Sequence, residues 1–244
     1  MLSGLPVTGD VAAEQLLERF LSGSTRQRRS LLAPLEQRSA ELIPLIPAAI
    51  ERLDASGDDW AGGTLVQLLL QHGDEPCRRE LLERFPGGWL AAPSASGLDY
   101  RPLQRHLMER QFEQADRLTS QRLRELAGAD AERRGYVYYS EVPAMAAVDL
   151  ESLDRLWLVY SRGRFGFSVQ GRLLAACGGR WEKLWLRLGW KQDGVWTRYP
   201  GSFTWSLDAP DGHMPLVNQL RGVRLMDALL QHPALASRIT VLPA

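Results

Sequence analysis

Apolar residues at helical spacing, closed off repeatedly by glycine or proline, run through most of this chain and fail in only two long stretches. A stripe at i, i+3, i+4 and i+7 buries one face of a helix, whereas a half-buried strand needs strict alternation. The expected fold class is therefore all-α. In "VAAEQLLERFLSG" the stripe is Leu16, Leu17, Phe20 and Leu21, with Asp10 placed to cap it and Gly23 to end it. "ELIPLIPAAIERLDASG", "DWAGGTLVQLLLQHG" and "PCRRELLERF" continue the pattern to Phe85. No period is strict enough for a solenoid, so residues 1–85 read as a small helical bundle.

The next stretch, "PGGWLAAPSASG", has the proline, glycine and serine content of a linker. With 244 residues the chain can bury two cores, and the expected division is a bundle at 1–85, a linker at 86–98 and a second domain at 99–244. Helical spacing resumes there with Tyr100, Leu103 and Leu107, then Phe112, Ala115, Leu118 and Leu126 up to Gly128. It returns in "DLESLDRLWLVYS", behind a candidate cap at Asp149, in "VQGRLLAACGG" with Ser168 as its cap, and in "WEKLWLRLGW". A closing helix is expected in "LVNQLRGVRLMDALLQHPAL", with Pro215 in its first turn. The two failures of periodicity are "ADAERRGYVYYSEVPAMAA" and "KQDGVWTRYPGSFTWSLDAPDGHMP", both rich in aromatic residues. Loops this long inside a domain tend to be functional, and their aromatic content argues against disorder.

Charge and cysteine usage exclude several classes. The formal net charge is +0, which gives no reason to expect a nucleic-acid partner. Nearly all the positive charge is arginine, since only Lys183 and Lys191 are lysines, and arginine's planar fork suits carboxylates and phosphates. Cys77 and Cys177 have no metal-ligand spacing, so neither a disulfide framework nor a zinc site is suggested. The start "MLSGLPVTGD" lacks a basic segment followed by an apolar run, and no stretch is long enough to span a bilayer. A cytoplasmic protein is expected.

The segment "SRGRFGFSVQ", Ser161 to Gln170, admits three readings. Gly163 and Gly166 match neither a dinucleotide fingerprint nor a P-loop. Arg162 and Arg164 beside Phe165 and Phe167 have the elements of a single-strand platform, but the chain as a whole is balanced in charge. The favoured reading is a frame, with both phenylalanines turned inward and the glycines turning the backbone between two helices. Ser161 has no histidine or lysine in local register to activate it. His213 lacks the clustering of a metal site and reads as a turn histidine held by backbone. No catalytic set emerges.

The runs "DYRPLQRHL", "FEQADRLT", "LDRLWLVYSRGRFGFSVQ", "GWKQDGVWTRYPGSFTWSL", "APDGHMPL" and "LRGVRL" closely resemble, in order, the Genomes Uncoupled Four family of porphyrin-binding regulators of magnesium chelatase. The resemblance covers Asp99 to about Leu230. It implies a cupped helical domain whose two long loops are fingers over a groove for protoporphyrin IX and magnesium protoporphyrin IX. It also implies stimulation of the chelatase through its large porphyrin-binding subunit, with no catalysis and no resident cofactor or metal. The helical first part looks like the bundle that cyanobacterial members carry, and the absence of a transit peptide points the same way.

The residues themselves supply what such a ligand requires, an aromatic or aliphatic slot with cations at its rim. Phe203 and Trp205, in the second finger, are candidates for stacking on the ring, or alternatively pack beneath their loop. Val137, Val142 and Met145 are the candidates in the first finger. The chain departs from the family there, with Val148 before Asp149 where members often carry a proline, and Pro143 earlier. Arg221 and Arg224, three apart, would leave one face of a continuous helix and suit two propionates; a solvated face with Arg224 paired to Asp227 is the alternative. The competing function is a helical interaction module that grips a protein with its aromatic loops. A monomer is expected, and peripheral association with a thylakoid membrane through the fingers stays open.

Overall fold

The computed structural model describes residues 9–217 and 223–240. Among these residues the chain forms fourteen α-helices, two short 3-10 turns and one minimal hairpin, so the all-α expectation holds. Helix α1 (Gly9–Ser22) packs on α2 (Thr25–Gln37), which opens with a capping box. Ser24 accepts from the Gln27 amide, and the Gln27 side chain accepts from the Ser24 amide at 2.8 Å. Asp10 lies inside α1 and is not its cap. The segment 41–57 is broken rather than continuous, as α3 (Ser39–Leu42), a 3-10 turn (Ile43–Leu45) and α4 (Ile46–Glu51), because Pro44 and Pro47 each remove a backbone donor. Two helices then follow with aspartate caps. Asp59 accepts from the Ala61 amide at the start of α5 (Trp60–His72), and Asp74 from the Cys77 amide at α6 (Glu75–Arg84).

The stretch read as a linker is packed into the molecule. Trp89 and Leu90 are buried, and residues 94–96 are tied to Asp149, which accepts from the Ser94 hydroxyl (2.5 Å), the Ala95 and Ser96 amides (3.0 and 3.1 Å) and the Tyr100 hydroxyl (2.7 Å). Asp149 therefore does not cap its own helix; it sits within the first turn of α10 (Ala147–Tyr160), turned toward the preceding connection. Helix α10 is the hub. Leu150, Leu153, Leu156, Trp157, Val159 and Tyr160 are wholly buried, and the helix packs on α5, α7 (Arg101–Met108), α11 (Phe167–Ala176) and α14 (Pro233–Thr240). Where α5 meets α10, a Cβ at Gly63 would lie 2.5 Å from the Val159 carbonyl oxygen, so only glycine permits that approach. Gln67 of α5 donates through Nε2 to the carbonyls of Leu107 (2.9 Å) and Tyr160 (2.7 Å). A single apolar core thus runs through both halves of the chain.

"SRGRFGFSVQ" proves to be a frame. Phe165 and Phe167 are fully buried, with Phe165 edge-on to Phe112 and Trp157. The Ser161 hydroxyl accepts from the amides of Arg164 and Phe165, a structural role. Gly166, at φ 124°, turns the chain into α11, whose Ser168 amide donates to Asp154 of α10 at 2.8 Å. Ser168 is not the cap; the capping carboxylate comes from a neighbouring helix. Arg164 donates to Asp211 (2.7 Å) and to the carbonyls of Ala209 (2.8 Å) and Leu207, and the Gln170 side chain donates to Gly212 and Pro215. The motif consequently holds the far end of the second aromatic stretch. Among the described residues no helix is long and apolar enough to cross a membrane.

Candidate functional site: an apolar cavity between α8 and the two aromatic stretches

Helix α8 (Phe112–Ala127) ends at Gly128, φ 98°, as its sequence requires. One side of it, Asp116, Arg117, Ser120, Leu123 and Arg124, follows the i, i+1, i+4, i+7, i+8 pattern of a single helical face and forms one wall of a cavity of about 670 Å³. The first aromatic stretch contributes Tyr136 and Val137, the second Trp196 and Tyr199. Leu216, Val217 and Leu225 close the remainder. This volume falls within the range of sites for cofactor-sized ligands, as does the mixture of apolar wall and few polar groups.

Both stretches are more ordered than their aperiodic sequences suggest. The first contains α9 (Ala129–Arg134) and a 3-10 turn (Tyr139–Ala144). Arg134 lies 4.7 Å and 4.0 Å from the ring centres of Tyr136 and Tyr138 and donates to Glu141 at 2.8 Å, which stiffens the bend before the cavity. In the second, β1 (Lys191–Gln192) and β2 (Val195–Trp196) form an antiparallel hairpin after α12 (Trp181–Arg187), and Trp196 rests against Trp185, centre to centre 5.7 Å.

Of the residues singled out from the sequence, Val137 lines the cavity. Val142 and Met145 are buried and do not line it; the 3-10 turn packs against α13 (Arg224–Gln231). Phe203 and Trp205 stack on each other at 5.5 Å beneath Tyr199, Phe203 also meets His213 at 4.8 Å, and Trp205 Nε1 donates to the Pro200 carbonyl. They support the wall, while Tyr199, which contacts both rings, presents it. Backbone bonds such as Ser202 to Arg198 and Phe203 to Pro200 fold the second stretch back on itself, and its Phe203 and Trp205 rings join the common core. Arg224 opens α13 with its guanidinium 5.4 Å from the Tyr139 ring centre, and Arg221 lies outside the described residues. His213 is buried, its Nδ1 2.6 Å from the Leu188 carbonyl, and burial lowers its pKa. Among the described residues no group of three His, Cys, Asp or Glu side chains could hold a metal ion.

Sequence reasoning missed Asp116, Leu123, Arg124, Arg198 and Tyr199. The α8 residues share one helical face, but they are mostly polar and carry no apolar stripe to mark it. Asp116 is 1% exposed; its Oδ1 accepts from the Leu216 amide at 2.6 Å, while Oδ2 has no partner in bonding geometry. Burial pushes this carboxyl up to about 7, against the Leu216 amide, the nearby Tyr199 hydroxyl and Arg117, which favour the charged form. Tyr199 is pushed up to about 12 by burial and by that carboxyl.

Fold and cavity together define the class: an all-helical protein with a ligand-sized apolar hollow edged by arginines. A family model described as GUN4-like matches residues 93–233. The chain belongs to that family. It is 46% identical to a Ycf53-like protein of Synechocystis over 173 residues, 71% of this chain and 74% of the relative. It is 35% identical to the chloroplastic tetrapyrrole-binding protein of Arabidopsis thaliana, over 55% of this chain and 54% of that one. The solved GUN4 of Chlamydomonas reinhardtii superposes with a TM-score of 0.57 at 37% identity, covering 60% of this chain and 95% of its own. Ligand-free Arabidopsis GUN4 gives 0.53 at 35% identity, covering 57% and 99%.

Proposed function

We propose that this protein binds protoporphyrin IX and magnesium protoporphyrin IX in the cavity between α8 and the two aromatic stretches, and stimulates magnesium chelatase through its large porphyrin-binding subunit without catalysis of its own. The observation that carries this reading is the 670 Å³ hollow, walled by Leu123, Val137, Trp196, Tyr199 and Val217, in a GUN4-like chain. A flat apolar macrocycle gains burial against such a wall, at roughly 25 cal/mol per Å² of apolar surface covered. The tetrapyrrole-binding relative supports the ligand class.

Val137 is assigned to direct contact. Phe203 and Trp205 act through Tyr199, and Val142 and Met145 hold the first finger's base. Arg224, at the start of α13, and Arg221 are assigned to the rim of the site. Titration of the protein with each porphyrin, followed by ligand absorbance and tryptophan quenching, tests the reading, because Trp196 stands in the wall. Absence of a saturable change overturns it. In a reconstituted chelatase, added protein is expected to raise turnover in a porphyrin-dependent manner. Tyr138 and Tyr139, both nearly half exposed, and Val195, 70% exposed, favour a second reading as a protein-gripping module; such a module would bind its partner equally well with and without porphyrin and after Trp205→Ala.

A further inference from the structure

The charge of the cavity wall is one-sided. Three guanidinium groups, Arg117 and Arg124 from α8 and Arg198 from the segment after β2, face one acid, Asp116. Arg117 is engaged by Glu113 at 2.6 Å, one helical turn away. The arginines that build the fold are likewise satisfied, Arg28 by Asp59, Arg134 by Glu141, Arg164 by Asp211, and Arg238 by Asp154 and Asp58. Arg124 and Arg198 differ: neither side chain has a hydrogen-bond or ion-pair partner among the described residues. Arg124 is half-buried beside Leu123, and Arg198 is exposed next to Tyr199; both line the cavity.

A guanidinium beside an apolar wall keeps its charge at low cost only while water reaches it. When a flat apolar ligand covers the wall, that water leaves, and an uncompensated cation opposes binding. The same cation favours a ligand that brings a carboxylate, because shielding strengthens the charge-assisted fork. These two cations line one cavity from separate elements, α8 and the second aromatic stretch, so a ligand with two carboxylates offers a partner to each.

Resting on the tetrapyrrole reading above, we infer that Arg124 and Arg198 are a carboxylate-reading pair that makes the cavity selective for the free diacid of a porphyrin over its ester. A ring with both carboxyls esterified has the same apolar disc and loses both forks. Each shielded fork corresponds to about tenfold to a hundredfold in affinity, and the preference falls with ionic strength because Arg198 is exposed.

The experiment titrates the full chain with protoporphyrin IX and with its dimethyl ester, using the native protein, Arg124→Gln, Arg198→Gln and the double variant. The native protein is expected to bind the diacid at least about tenfold more tightly than the diester. Each single variant should weaken diacid binding by about tenfold and bind the diester at least as tightly as the native protein does, and the double variant should bind both alike. If the native protein binds diester and diacid equally, or if the variants weaken both in proportion, the inference fails while the tetrapyrrole reading stands. If the native protein binds neither, both fail. Circular dichroism of each variant separates lost folding from lost recognition, and Arg198→Gln, at an exposed position, carries the test even if Arg124→Gln does not fold.

Discussion

Two buried aspartates respond to pH in opposite senses. At Asp149 burial raises the carboxyl, but donors from Ser94, Tyr100 and Ser96 outweigh it and hold the group below its ordinary value. Its contribution is present above the unfolded value and is lost as pH falls through the folded one. Removing the carboxylate strands the hydroxyl of Tyr100 and the amides of residues 95 and 96, so Asp149→Ala should cost about 3–5 kcal/mol, read as a lower urea midpoint at pH 7. At Asp116 the folded value, about 7, lies above the unfolded one near 3.8. Its contribution is fully present below the unfolded value and is lost as pH rises through 7, on the order of 4 kcal/mol for that shift. Asp116→Asn retains an acceptor for Leu216 and cannot ionise. The stability difference between variant and native protein is therefore expected to move in the variant's favour between pH 4 and 8, in paired denaturation curves. A difference that stays flat with pH would rule out a neutral Asp116. Neither environment could be read from sequence: Asp149 stood where helix caps stand, and what decides its role is a connection more than fifty residues earlier in the chain.

The elements themselves were largely legible, because leucine stripes and glycine or proline borders are local signals. α8 ends at Gly128 and α10 carries its stripe inward as expected. What the pattern could not convey is how a stretch without periodicity folds: Tyr199 packs edge-on against both Phe203 and Trp205, and such ring-on-ring packing has no period. Close approach between helices is equally silent until the partner is known. At the crossing of α5 and α10, Gly63→Ala would push a methyl against the Val159 carbonyl and its Cγ1, at 2.5 and 2.8 Å. The helices must separate, and the expected loss is about 1–3 kcal/mol, whereas Gly201→Ala, which meets nothing within 4 Å, should leave the midpoint within about 0.5 kcal/mol of native.

The helical first part and the porphyrin-site half were expected as separate units joined by a linker, yet what lies between them behaves physically as interior. Trp89 fills the space over Gly62, Arg155 of α10 donates to the carbonyls of Gly57 and Ala91, and Arg238 of α14 bonds both Asp58 and Asp154. Two units coupled this closely cannot open independently without exposing Trp89, Leu90 and the α5 face of α10. The full chain is accordingly expected to unfold in one transition, with far-UV circular dichroism and tryptophan fluorescence giving coincident midpoints. Tryptophans sit in both parts, Trp60 in the first, Trp157 and Trp185 in the second, with Trp89 between them, so separate melting would split the fluorescence curve. Ligand bound at the α8 cavity stabilises the folded state by about 2.7 kcal/mol at a hundredfold excess over Kd. If folding is one event, that increment reaches the amides of α5, far from the cavity, as slower hydrogen exchange in the globally protected class. If protection rises only around α8 and the aromatic stretches while α5 exchanges as before, the two halves are thermodynamically separate despite their shared core.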